Sequence, residues 1–145
     1  MIALLQRVST ASVNVETETV AAIGSGLLVY VALQPQDDEA ILVRMGERVL
    51  AYRVFADDAD RMNLGVEQAK GEVLLVPQFT LAASTRKGLR ASFSQAASPE
   101  RAKVLFEQFA DHLKSKYGRV KTGVFGTHMQ VHSVNDGPVT FWLQL

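Results

Sequence analysis

Residues 27–33, Leu-Leu-Val-Tyr-Val-Ala-Leu, form an unbroken apolar run, and no other stretch constrains the fold as strongly. With no polar residue in alternation, the run fits a strand in the middle of a sheet. It is far shorter than the ~20 residues of a membrane helix, and no other segment approaches that length. Gly24-Ser25-Gly26 supplies a turn ahead of it. Before that turn, residues 2–8 and 11–16 predict two short strands, the second with Val13 and Val15 alternating with Asn14 and Glu16. Val54-Phe55 is a short extended piece before the acidic turn Asp57-Asp58-Ala59-Asp60. Residues 72–81 predict a further strand, and Pro77 inside it requires an edge position or a bulge. Two closing strands are expected at 120–125 and 129–134. The turn Asn135-Asp136-Gly137-Pro138 then leads into 139–145, where Val139, Phe141, Leu143 and Leu145 share one face.

Two helices punctuate these strands. Asp37 or Asp38 caps the first, with Ile41, Leu42, Met45 and Val49 on one face. Gly46 weakens it by about 1 kcal/mol relative to alanine. The second has Ser98 as N-cap, Pro99 at the first helical position and Glu100 near the positive end. Its apolar stripe is Ala102, Leu105, Phe106, Phe109 and Leu113, and Gly118 supplies the stop. Strands outnumbering helices in mixed order predict an α+β domain, with a mixed, mostly antiparallel, barrel-like sheet and two main helices. The chain has 145 residues and neither repeats nor low-complexity tracts. It fits one domain, 1–145, that buries about 68–70% of its unfolded surface.

Composition narrows the chemistry. Cysteine is absent, which excludes a disulfide scaffold, a thiolate zinc site and a cysteine nucleophile, and suits a reducing cytoplasm. The start, Met1-Ile2-Ala3-Leu4-Leu5-Gln6-Arg7, lacks the basic region and cleavage site of a signal peptide. Fifteen basic residues balance fifteen acidic ones, so a globally basic nucleic-acid coat is excluded. The balance is uneven: residues 36–72 hold five basic against nine acidic, and residues 73–145 nine against four. Such asymmetry fits a polyanionic partner, although a solvated basic helix face has the same composition.

The sequence has no P-loop, no dinucleotide glycine fingerprint and no nucleophile elbow. His128 and His132 without a third ligand make a poor zinc site, and His112 falls opposite much of the apolar stripe, in solvent. Two segments stand out. Gln78-Phe79-Thr80-Leu81 opens into a loop carrying Arg86, Lys87 and Arg90 with Gly88 between them and Phe93 nearby. Three cations on one loop suit phosphate contacts, as they would a solvated surface loop. The other segment, Asn135-Asp136-Gly137-Pro138, is turn chemistry.

Gln78-Phe79-Thr80-Leu81 followed downstream by Asn135-Asp136-Gly137-Pro138-Val139-Thr140 resembles the paired signature of the D-aminoacyl-tRNA deacylases. Other landmarks fall in the same order. They are Arg7-Val8 with Ala11-Ser12-Val13, the glycine turn and strand from Gly24 to Val29, Arg53-Val54-Phe55, and Met62-Asn63-Leu64. Thr122-Gly123-Val124-Phe125-Gly126 with Met129-Gln130-Val131 completes them, so the resemblance spans essentially the whole chain. It departs from the family pattern at Pro77, where serine is common, at Thr127-His128 in place of Ala-Asp, and at Ala91 in place of proline.

The resemblance implies a homodimeric cytoplasmic hydrolase, free of metal and organic cofactor. Its substrate would be the ester joining a D-amino acid, or mischarged glycine, to tRNA; membrane and DNA are not expected partners. It implies that Gln78, Phe79 and Thr80 surround the scissile ester. Phe125, Gly126 and Met129 would hold the terminal adenosine, and Arg86, Lys87 and Arg90 would meet acceptor-stem phosphates. It also implies a cis Gly137-Pro138 that enters the partner subunit's site and sterically rejects L-amino acids, while the tRNA 2′-hydroxyl assists water attack. A rival from another class is a non-catalytic RNA-binding module that uses the same basic loop.

Overall fold

The computed structural model describes residues 1–86 and 88–145. Its elements in chain order are β1 (Ile2–Val15), β2 (Glu18–Ile23), β3 (Gly26–Ala32), α1 (Glu39–Ala51), β4 (Phe55–Ala56), β5 (Met62–Leu64), β6 (Glu72–Pro77), a 3-10 turn (Phe79–Ala82), α2 (Pro99–Lys116), β7 (Val120–Thr122) and β8 (Gln130–Gln144). The main sheet runs β2-β1-β3-β6-β7, with β8 on the other side of β1. β1 pairs antiparallel with β2, β3 and β8, whereas β3, β6 and β7 are parallel. The expected α+β architecture, with a mixed and nearly barrel-like sheet and two helices, is the one observed.

The apolar run sits where its composition requires. Leu27, Val29 and Val31 point into a core shared with both helices, including Met45, Val49, Phe106 and Phe109. Leu28 points to the opposite side, into a second cluster with Val8, Val13, Ile23, Leu74 and Val76. Both faces are therefore covered, β1 and β2 curling over the second.

The strands depart from expectation in several places: the one expected at 120–125 is only Val120–Thr122, β2 at Glu18–Ile23 is not among those expected, and three further differences shape the sheet. The two segments expected at 2–8 and 11–16 merge into one strand, Ile2–Val15, because β8 pairs along it from Ile2 to Asn14 through register shifts between Gln6 and Val8 and between Val8 and Thr10. β6 lies inside the sheet rather than at an edge, and Pro77 is its last residue. Past Pro77 the chain breaks into the 3-10 turn, so residues 78–81 are not strand. Finally, Asn135–Pro138 does not reverse the chain. Between the pairs Gln6↔Thr140 and Val8↔Asn135, β1 advances two residues and β8 five, so the segment is a bulge within one long strand.

Both helices begin at the caps their sequences offer. Asp38 caps α1 by accepting from Ile41 N, and Ser98 caps α2 by accepting from Arg101 N, with Pro99 at the first helical position. Gly46 is where the helices approach: a Cβ there would lie 3.0 Å from His112 Cδ2 and 3.3 Å from Leu113 Cδ1. His112 thus packs between the helices instead of lying in solvent. Its Nε2 is buried and has no hydrogen-bond partner among the described residues.

Asp37 is spent elsewhere. Its Oδ1 accepts from the Met1 α-ammonium at 2.6 Å, both groups being fully buried. Its Oδ2 accepts from Gln34 N at 2.7 Å, and its carbonyl from Arg101 Nη2 at 2.7 Å. With Ala97 N donating to Leu33 O at 3.0 Å, these bonds fix the start of α2 against the end of β3.

Candidate active site

A cleft of about 480 Å³ opens at the carboxyl ends of β3 and β6, against the first turn of α2. Ligands of α/β sheets commonly bind at such strand ends. Val31, Leu33 and Pro77 supply its apolar floor, Gln78 and Phe79 one lip, and Phe125, Gly126, Thr127, His128 and Met129 the other.

The first lip follows from Pro77. After the strand ends, Gln78 N donates to Val31 O at 2.7 Å, and the 3-10 turn begins with Leu81 N donating to Gln78 O. The N–H groups of Phe79 and Thr80 stand ahead of the turn's own bonds, as the first amides of any helical turn do. Phe79 and Thr80 are exposed and Gln78 is half-buried. Gln78 Nε2 donates to Thr80 Oγ1 in a short contact. An amide donor cannot accept a proton, so this partner does not activate the hydroxyl as a nucleophile.

The second lip is built around Gly123, where a Cβ would come within 2.9 Å of Met129 Sδ. That sulfur accepts from Val124 N at 3.4 Å. Phe125 stacks on Phe106 of α2 with centroids 6.1 Å apart, so it is at once core packing and cleft wall. Gly126 has φ +77, a left-handed conformation suited to glycine.

Gln78, Phe79, Phe125, Gly126 and Met129 thus converge on one cleft, and Thr80 is tied to it through Gln78. Gly137 and Pro138 are not among the cleft's walls. They are exposed on β8, joined by a cis peptide bond, with Gly137 at φ +120. Arg7 braces this bulge. Its Nε lies 3.1 Å from Asp136 Oδ2, Nη1 donates to Val54 O at 2.7 Å, and a Cβ on Gly137 would meet Nη2 at 2.9 Å. Arg86 and Arg90 are exposed on the loop after the 3-10 turn, and Lys87 lies outside the described residues. Sequence patterns carry no sign of the Arg7 contacts, which join residues 47 positions apart at Val54 and 129 apart at Asp136. His128, which the sequence offers only as half of an incomplete zinc pair, forms part of the cleft wall.

Ionisation near the fold's supports follows local contacts. Glu72 is held below the usual glutamate value of 4.5, chiefly by the Gly24 N–H and then by Lys121. Burial raises the Tyr30 phenol above 10.0. Among the described residues, no group of three or more His, Cys, Asp or Glu side chains is placed to hold a metal ion.

Sheet, helices and cleft define a small α+β domain with an open cleft at the ends of two parallel strands. The family model of D-Tyr-tRNA(Tyr) deacylase matches residues 4–144. The chain belongs to this family, and by chemistry to the hydrolases. A D-aminoacyl-tRNA deacylase from Thioalkalivibrio sulfidiphilus is 55% identical over 145 residues, covering 100% of this chain and 97% of the relative. One from Escherichia coli K12 is 53% identical, with both chains covered in full. A solved structure described as a c-Myc DNA unwinding element binding protein superposes with TM-score 0.96 at 37% identity, covering 100% of this chain and 99% of the other. A probable eukaryotic D-amino acid tRNA deacylase shares the fold, with TM-score 0.87 at 18% identity over 98% of this chain and 97% of that one.

Proposed function

We propose that the protein hydrolyses the ester bond of D-aminoacyl-tRNA, and of glycine mischarged on tRNA, releasing free tRNA and the amino acid. The observation that carries this is the cleft itself: Gln78 and Phe79 face Phe125, Gly126 and Met129 across a space open to solvent. The terminal adenosine lies against Phe125, Gly126 and Met129, which places the ester beside Gln78, Phe79 and Thr80. The backbone N–H groups of Phe79 and Thr80 face the developing oxyanion, as preformed donors do in acyl transfer. Water attacks the carbonyl carbon with help from the adenosine 2′-hydroxyl, and the 3′-oxygen leaves with a proton. Thr80 positions the substrate, and neither metal nor organic cofactor takes part.

Selectivity is assigned to Gly137-Pro138 of a second subunit. The motif stands exposed and outside its own chain's cleft, which supports its use by a partner. β8 also offers a contact surface. Among the described residues it pairs only with β1, and it exposes Val134 at 58% and Trp142 at 50%. In the homodimer, the partner's motif would occupy the space an L side chain needs and leave room for a hydrogen or a D side chain. Exclusion of this kind tolerates many D-residues and spares glycine, which has no side chain to exclude. Arg86, Lys87 and Arg90 contact acceptor-stem phosphates, and the enzyme works in the cytoplasm. No helix among the described residues is long and apolar enough to cross a membrane. Hydrolysis of matched D- and L-aminoacyl-tRNA by the purified protein tests this function. Binding of tRNA without turnover of either ester would favour the non-catalytic rival.

A further inference from the structure

Two aromatic rings stand in solvent at the mouth of the cleft. Phe79 is 55% exposed and Phe93 44%, their centroids are 5.0 Å apart, and their planes are inclined by 53°. Phe79 walls the cleft, whereas Phe93 lies outside it. Its place is fixed by backbone bonds. Ser84 N donates to Ser92 O at 2.8 Å, Ser92 N returns a bond to Ser84 O at 3.0 Å, and Ala96 N donates to Phe93 O at 3.0 Å. The loop so closed carries Arg86 and Arg90, both exposed and, among the described residues, in no ion pair with a carboxylate. Exposed aromatic faces beside unpaired cations are the composition of a single-stranded nucleic-acid site, in which bases stack and guanidinium groups follow the phosphates.

We propose that the Phe79–Phe93 pair is a stacking platform for the unpaired nucleobase that precedes the terminal adenosine of the substrate. The proposal rests on the deacylase function above. It adds a contact that a lone aminoacyl-adenosine cannot make. A strand leaving the adenosine lip must pass the cleft mouth, where Phe93 offers a π-face and Arg86 and Arg90 can meet the phosphates. Stacking tolerates any base, so the platform would add affinity without choosing among tRNAs or between D and L forms.

Two measurements test it. The first uses a short RNA ending in 2-aminopurine followed by adenosine, whose fluorescence falls when the analogue stacks. The wild-type protein and Phe93→Tyr quench it on binding; Phe93→Ala and Phe93→Leu do not. The second compares kcat/KM for D-aminoacyl-tRNA with that for the D-aminoacyl ester of adenosine alone. Phe93→Ala lowers the ratio of the two by about 5- to 140-fold, the equivalent of the 1–3 kcal/mol of one stacked base, and Phe93→Tyr restores it. An unquenched probe with the wild type, full quenching by Phe93→Leu, or an equal loss on both esters overturns the platform. So does a fall in molar mass of Phe93→Ala at fixed concentration, which would mean that a second copy covers the rings. A wild type that cleaves neither ester refutes the deacylase function, while the fluorescence measurement still decides the platform.

Discussion

Replacing Asp37 by asparagine removes one charge and almost no volume, at a point where the start of the chain, the end of β3 and the start of α2 are joined. Both carboxylate oxygens are used: Oδ1 faces the Met1 α-ammonium at 2.6 Å and Oδ2 the Gln34 N–H at 2.7 Å, with Asp37 and Met1 fully buried. Asparagine offers one acceptor oxygen and directs an NH₂ at the other donor. The ammonium would keep only Gln34 Oε1 and Leu145 O, each at 3.0 Å. Breaking one side of a buried pair costs about 3–5 kcal/mol, mostly the cost of the charge left behind. Domains of this size have about 5–15 kcal/mol in total. With a urea slope of about 2 kcal/mol/M, the midpoint should fall by about 1.5–2.5 M. Urea unfolding followed by circular dichroism, at matched protein concentration, measures this. A midpoint lowered by less than about 0.5 M at an unchanged slope would mean that the Asp37–Met1 pair does not hold these segments together. Because Arg101 and Ala97 bind the same segment, the variant should also lose deacylase activity ahead of global unfolding.

Other outcomes follow from single residues. Gly137→Ala introduces a Cβ 2.8 Å from Val139 Cγ2 at φ +120. It should cost about 1–3 kcal/mol in stability and abolish deacylation or its D/L selectivity; an unaltered D/L ratio in single-turnover hydrolysis contradicts the steric filter. Arg86→Gln and Arg90→Gln should weaken tRNA binding and flatten the slope of log affinity against log salt by about 0.9 per lost phosphate contact, with chirality unchanged, as filter binding across a salt series would report. Glu72 has its folded pKa below 4.5, so the unfolded chain takes up its proton first as pH falls. Its contribution is complete above the unfolded value and disappears as pH drops through the folded one. Glu72→Gln should therefore flatten the decline of stability on the acid side of about pH 5, measured by thermal unfolding at stepped pH.

Local chemistry made much of the frame legible. The apolar run at 27–33, the Ser98-Pro99 cap and the stripe from Ala102 to Leu113 each state their environment within a few residues, and the structure follows them. Local chemistry does not decide where two conformations make the same demands. Gln78 to Leu81 alternates like a strand, but Pro77 has already ended the strand and the 3-10 turn takes over. Asn135 to Pro138 suits either a reversal or a bulge, and only its pairing with β1 decides between them. What the sequence concealed was contact at a distance. The Asp37–Met1 pair, Gly46 against His112, Arg7 against the bulge and Phe93 against Phe79 all depend on partners outside any local window. The separation of Gly137-Pro138 from its own chain's cleft agrees with what the family resemblance implies, but no local residue pattern carries it.

Chiral deacylation is read from the release of free amino acid from one tRNA charged in parallel with the D and L forms of the same residue. Purified wild-type protein at fixed concentration should cleave the D ester and leave the L ester at its spontaneous rate. Equal rates on both esters, or none on either despite tRNA binding, would contradict the account.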